Sequence, residues 1–209
     1  MSILVLTSDT LSSPAAAGQI EYSSPIIAAT PIGTQRGIVP TQQYYRLDSA
    51  YVGSNVNTAQ SIFGVGVTLS ASTVYEFEIL FSIVKTAGTT SHTVSIGFGG
   101  TATVNNIYYD VIEGDAGGGM GTKISGSALN RTAVATASAT VVTGAIATAG
   151  QIDVFSIKGT VSINAGGTFI PQYTLSAAPG GAYSTQIGSY IRINPLSASG
   201  AATNVGTWA

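Results

Sequence analysis

The chain has 209 residues, of which 27 are Ala, 26 Gly, 26 Thr and 24 Ser, against 16 Asp, Glu, Lys and Arg and a formal net charge of −2. Seven scattered Lys and Arg are too few to neutralise a run of phosphates, which argues against a nucleic-acid partner. The lack of Cys excludes disulfides, thiolate metal sites and cysteine nucleophiles, and a single His removes most metal and general-base chemistry, so no enzyme, metal or cofactor is expected.

The apolar residues, 44% of the chain, are broken everywhere by Gly, Ser, Thr and Asn. No window offers the roughly eighteen uninterrupted apolar residues of a membrane span, and no membrane partner is expected. Ile3, Leu4, Val5 and Leu6 form an apolar run with no leading cation, short of a secretory signal in length and flank, which points to synthesis in a cytoplasm.

In chain order, residues 3–6 read as a short strand, 13–18 as a turn-rich link and 19–22 as a second strand. Ser23-Ser24-Pro25 breaks that strand before 26–30 returns, which predicts a small hairpin. Residues 36–40 and 42–47 follow as extended segments, with Tyr44, Tyr45 and Tyr51 as candidate interface aromatics. So small a unit, 1–54, cannot bury a core alone, and a neighbouring subunit is a natural surface for it.

The strongest strand signal is 74–84, where Tyr75, Phe77, Ile79, Phe81 and Ile83 alternate with Glu76, Glu78, Leu80, Ser82 and Val84. After the polar turn 85–90, alternation resumes at Val94, Ile96 and Phe98, and the two runs read as an antiparallel hairpin. Phe155, Ile157, Val161 and Ile163 line one side of another strand, interrupted by Gly159, which marks a bulge or a close backbone approach. Further strands are predicted at 65–69, 101–109, 134–142, 169–175 and 189–193, with little or no helix. The expected fold is all-β: a jelly-roll-like antiparallel β-sandwich over 55–209, preceded by the hairpin arm.

Leu6-Thr7-Ser8 with Ser13-Pro14-Ala15-Ala16-Ala17-Gly18-Gln19-Ile20-Glu21-Tyr22 resembles the T-P-A-A-G-x-x-E-Y-D-G opening of bacteriophage virion structural proteins, tail-fibre-like and capsid-decorating alike. The likeness continues through Ala28-Ala29-Thr30, Arg36-Gly37-Ile38-Val39-Pro40, the segments 60–67 and 69–75, Gly166-Gly167-Thr168-Phe169-Ile170-Pro171-Gln172-Tyr173, 179–183 and 188–190. The family's Asp-Gly turn is Ser23-Ser24 here, so the hairpin turns by another route, with Pro25 setting the exit. The resemblance implies a virion component and a homotrimer, and the leading expectation is a head decoration or cement protein on the outer surface, bound to the major capsid protein or another virion protein. The competing class is a tail-fibre or spike-head module that binds host polysaccharide. Ile3, Leu4, Val5, Leu6, Ile20 and Tyr22 are the expected contacts between chains or with the shell, and Arg46 is a candidate for fixing the register of assembly.

The chemistry-bearing residues read blandly. His92 lies between Ser91 and Thr93 without a Gly-x-Ser-x-Gly frame and reads as a surface residue. Glu76 and Glu78 read as the solvated side of their strand, and Asp110, Glu113 and Asp115 as part of a loop ending in Gly117-Gly118-Gly119, without the ligand spacing of a calcium site. Asn130-Arg131-Thr132 fits a glycosylation sequon but has no enzyme to meet in a cytoplasm. Arg36, Arg46, Arg131 and Arg192 are expected in ion pairs or subunit contacts, and Tyr108, Tyr109, Tyr183 and Trp208 are the aromatics available to a glycan.

Overall fold

A computed structural model describes residues 6–115, 130–134, 139–200, 202 and 204–208, and among these there is no helix. Three strands, β1 (Gln19–Ser23), β2 (Ile26–Ile32) and β3 (Gln35–Val39), form a small antiparallel sheet in that order. The arm is therefore a three-stranded meander rather than a hairpin. Ser24-Pro25, a cis peptide, makes the two-residue turn between Ser23 and Ile26.

Thirteen further strands build the body: β4 (Gln43–Arg46), β5 (Tyr51–Val52), β6 (Gln60–Ser61), β7 (Val67–Leu69), β8 (Thr73–Lys85), β9 (Val94–Gly99), β10 (Thr103–Asp115), β11 (Asn130–Val134), β12 (Thr140–Val141), β13 (Ile152–Ala165), β14 (Gly167–Leu175), β15 (Tyr183–Thr185) and β16 (Tyr190–Ala198). The larger sheet runs β11-β10-β13-β8, and β15 and β16 then lie along the other edge of β8 and carry β5 and β4 outside them. The smaller sheet runs β12-β9-β14, with β6 and β7 on the far edge of β14. All pairings among the described residues are antiparallel, and from β8 to β10 and from β13 to β15 the chain passes back and forth between the sheets. The all-β sandwich expected from alternation is the fold observed.

Two expectations need correction. The runs at β8 and β9 are not a hairpin: β8 pairs with β13, β15 and β16, and β9 with β12 and β14. Each strand has one apolar face, and burying both works best by setting them face to face, so the residues between them cross the sandwich. Phe77 of β8 meets Phe98 of β9 edge-on at 5.3 Å between ring centroids, and Phe98 stacks on Phe169 at 4.9 Å. The small sheet also ends at Val39, and β4 and β5, grouped by sequence with the arm, are strands of the larger sheet. Residues 3–5 lie outside the described residues, and Leu6 is not in a strand.

The inward faces of β8, β10 and β13 supply much of the larger sheet's share of the core, with Phe81 stacked on its direct cross-strand partner Phe155 at 4.9 Å. Gly159 keeps the alternation of β13 in phase without a bulge. A Cβ there would lie 2.3 Å from the Tyr108 carbonyl oxygen, 2.7 Å from Tyr109 Cβ and 2.8 Å from Phe77 Cζ, so it marks a close approach.

Candidate functional site

Cross-strand register assigns the arm sheet two unlike faces. On one, Glu21, Ala28 and Ile38 are opposite one another, flanked by Ile26 and Thr30. Ile26, Ala28 and Thr30 are buried. A strap of chain before β1 is hydrogen-bonded to this sheet: Asp9 N–H donates to the Tyr22 carbonyl (3.0 Å), Ser12 N–H to Glu21 Oε1 (2.7 Å), and Arg36 Nη2 to the Ser12 carbonyl (2.7 Å). Arg36 also pairs with Glu21 at 2.8 Å. The Ser12 bonds, with the Arg36 charge adding to them, hold the Glu21 carboxyl below its ordinary pKa.

The opposite face carries Ile20, Ala29 and Gly37 in one row and Tyr22, Ile27 and Val39 in the next, with no charged residue among them. Ile20 is 66% exposed and Val39 38%, while Tyr22, Ile27 and Ala29 are half-buried. The structure thus brings Ile20 and Tyr22 together on one apolar surface and adds Ile27 and Val39, which sequence left out because the third strand was not paired. Leu6 is exposed. Arg46 belongs elsewhere: it sits on β4 opposite Tyr190, paired with Asp48.

A second apolar feature, a groove of about 360 Å³, lies where β4 and β16 meet β14 and the chain from Phe63 to Thr68. Tyr44, 58% exposed, stacks on Tyr190, and Tyr45 meets Phe63 edge-on. Of the aromatics expected to face a glycan, Tyr108 and Trp208 are exposed, but Tyr109 and Tyr183 are fully buried. Both point inward because their strands alternate in phase with the core.

On the solvent face of the larger sheet, Glu78 accepts hydrogen bonds from Arg192 Nη2 (2.6 Å) and Tyr190 Oη (2.8 Å), with Lys158 Nζ 3.6 Å away. The Arg192 bond, more than any other contact, lowers the Glu78 pKa. Glu76 is exposed, as expected.

His92 overturns the surface reading. It is 2% exposed, forms an isolated bridge with Ile146, and its Nε2 lies 2.9 Å from Tyr183 Oη and its Nδ1 2.7 Å from the Thr90 carbonyl. Burial pushes its pKa down, raises that of Tyr183, and takes Tyr173 up to about 12. Glu113 is also not a loop residue: β10 runs on to Asp115 and turns Glu113 inward, 7% exposed. Lys85 and Asp153, both fully buried, complete a polar end to the core that sequence did not single out. The signal was present, since both continue the inward phase of Ile83 and Phe155. Gly117, Gly118 and Gly119 lie outside the described residues. Among the described residues, no group of three His, Asp or Glu is placed to hold a metal ion.

Comparison with protein-family models, with curated proteins and with solved structures gives no match to the chain.

Proposed function

We propose that the protein is a bacteriophage virion structural protein, a homotrimeric decoration or cement protein that ties neighbouring major capsid proteins together on the outside of the head. The supporting observation is the uncharged outer face of the arm sheet, where Ile20, Tyr22, Ile27 and Val39 leave apolar surface in water that another chain would cover. The resemblance of the same segment to virion proteins supplies the context. The mechanism is mass action: a trimer that binds the assembled shell and not loose subunits lowers the free energy of the lattice, and three arms on one particle raise the effective concentration of each contact. The Tyr44 and Tyr45 groove favours a second reading, a tail-fibre head that stacks host sugars on aromatic rings.

Copy number separates the two. Quantitative proteomics of purified particles gives hundreds of copies over the head for a cement protein and on the order of a dozen at the tail for a fibre. Absence from particles overturns both. Light scattering on the purified chain tests the surface: Ile20→Asp is expected to convert a trimer to monomer with the fold intact, and a wild-type monomer at all concentrations removes the arm from the account.

A further inference from the structure

Lys85, Asp153 and Glu113 stand on three adjacent strands and all face the core. Lys85 N–H donates to the Gln151 carbonyl (3.0 Å), and Ile83 is the partner of Asp153, so Lys85 and Asp153 are diagonal neighbours on β8 and β13. Glu113 pairs with Phe155 across β10 and β13, which makes it the diagonal neighbour of Asp153 on the other side. Diagonal pairs on one sheet face are within reach of long side chains. Lys85 and Asp153 are 0% exposed. The Lys85 Nζ has no hydrogen-bond partner among the described residues and lies 5.8 Å from the centroid of the Tyr183 ring.

A buried ammonium without a hydrogen-bonded partner is costly, and burying ions of opposite sign repays that cost only with good geometry. We propose that Lys85 and Asp153 condense to an intramolecular isopeptide bond, the proton passing directly from the amine to the carboxyl. The Lys85 Nζ, as the neutral amine, attacks Cγ of the protonated Asp153 carboxyl. The Nζ–Cγ bond forms, the Cγ–Oδ2 bond breaks, and one amine proton leaves with the Oδ2 hydroxyl as water. Amine and carboxylic acid become amide and water, with no oxidant, reductant or co-reactant. Gln151 Nε2 already donates to Asp153 Oδ1 at 2.7 Å, which polarises the carbonyl and supports the oxyanion of the tetrahedral intermediate. Burial lowers the pKa of Lys85, against the weaker opposing pull of the Asp153 charge, and so favours the nucleophilic form. The full burial of both side chains keeps out the water that would reverse the condensation. The product is a covalent tie between β8 and β13, suited to a protein that has to resist dissociation or shear.

The test is a tryptic digest of the denatured full chain read by mass spectrometry. The expected result is loss of cleavage after Lys85 and a branched peptide joining the Lys85 and Asp153 segments, lighter than its two parts by one water. Lys85→Met and Asp153→Ala are expected to abolish the branched peptide. Linear peptides ending at Lys85 overturn the proposal, and so does a water lost within a linear Asp153 peptide, which is a succinimide. The wild-type digest decides this even if a variant fails to fold.

Discussion

Replacing Gly159 by Ala tests how tightly β10 is held against β13. The added methyl would sit 2.3 Å from Tyr108 O, 2.7 Å from Tyr109 Cβ and 2.8 Å from Phe77 Cζ. The Phe77 ring can turn away, but the first two atoms belong to the neighbouring strand and its Cβ, so relief requires the strands to part. Both are central strands of the larger sheet, in continuous register from Asn106 to Asp115, and parting them disturbs the rings packed against Tyr109, including Phe98 at 5.2 Å. Overpacking of this kind costs about 1–3 kcal/mol or somewhat more. With a urea slope of about 2 kcal/mol/M, the midpoint of unfolding is expected to fall by about 1 M at unchanged slope. Gly200→Ala is the control, since nothing lies within 4 Å of a Cβ there. Adding Phe77→Leu relieves the ring contact alone and is expected not to restore the midpoint. An unchanged midpoint for Gly159→Ala would refute the argument, because it would mean that the two strands separate at no cost.

Two predictions concern pH. The lowered pKa of Glu78 means that its ionised form stabilises the fold fully above the unfolded value of 4.5, and that this contribution is lost as pH falls from there through the folded value; Glu78→Gln is expected to flatten that limb in thermal melts taken across acid pH. His92 is depressed from 6.5 by burial, so the unfolded chain takes up its proton first and stability drops as pH falls below 6.5; His92→Phe is expected to remove that slope while costing about 1–3 kcal/mol at neutral pH through the unpartnered Tyr183 hydroxyl, read by urea unfolding.

The legible part of this protein is its periodicity. Tyr75 to Ile83 and Phe155 to Ile163 alternate because each strand has one wet and one dry face, and that pattern survives unchanged into β8 and β13. Gly159 was readable as an anomaly within the second run, and the structure selects close approach over bulge. Partner choice was not readable. Nothing in the run Val94 to Phe98 says whether it faces β8 or pairs with it, since both arrangements bury the same side chains. His92 was misread for a related reason: its flanks, Ser91 and Thr93, look like a surface turn, and only the return of the chain at Ile146 and of β15 with Tyr183 encloses it.

The arm shows the same division. Ile20 and Tyr22 were visible as apolar residues on a short strand, but the face they share with Ile27 and Val39 exists only once β3 has paired with β2. Alone, the sequence determined an all-β chain with few charges, because composition and alternation are local properties of neighbouring residues. Tertiary structure decided which apolar face was left in water and which charged residues, Lys85, Asp153 and Glu113, were carried into the core, because both depend on pairings between strands far apart in the chain.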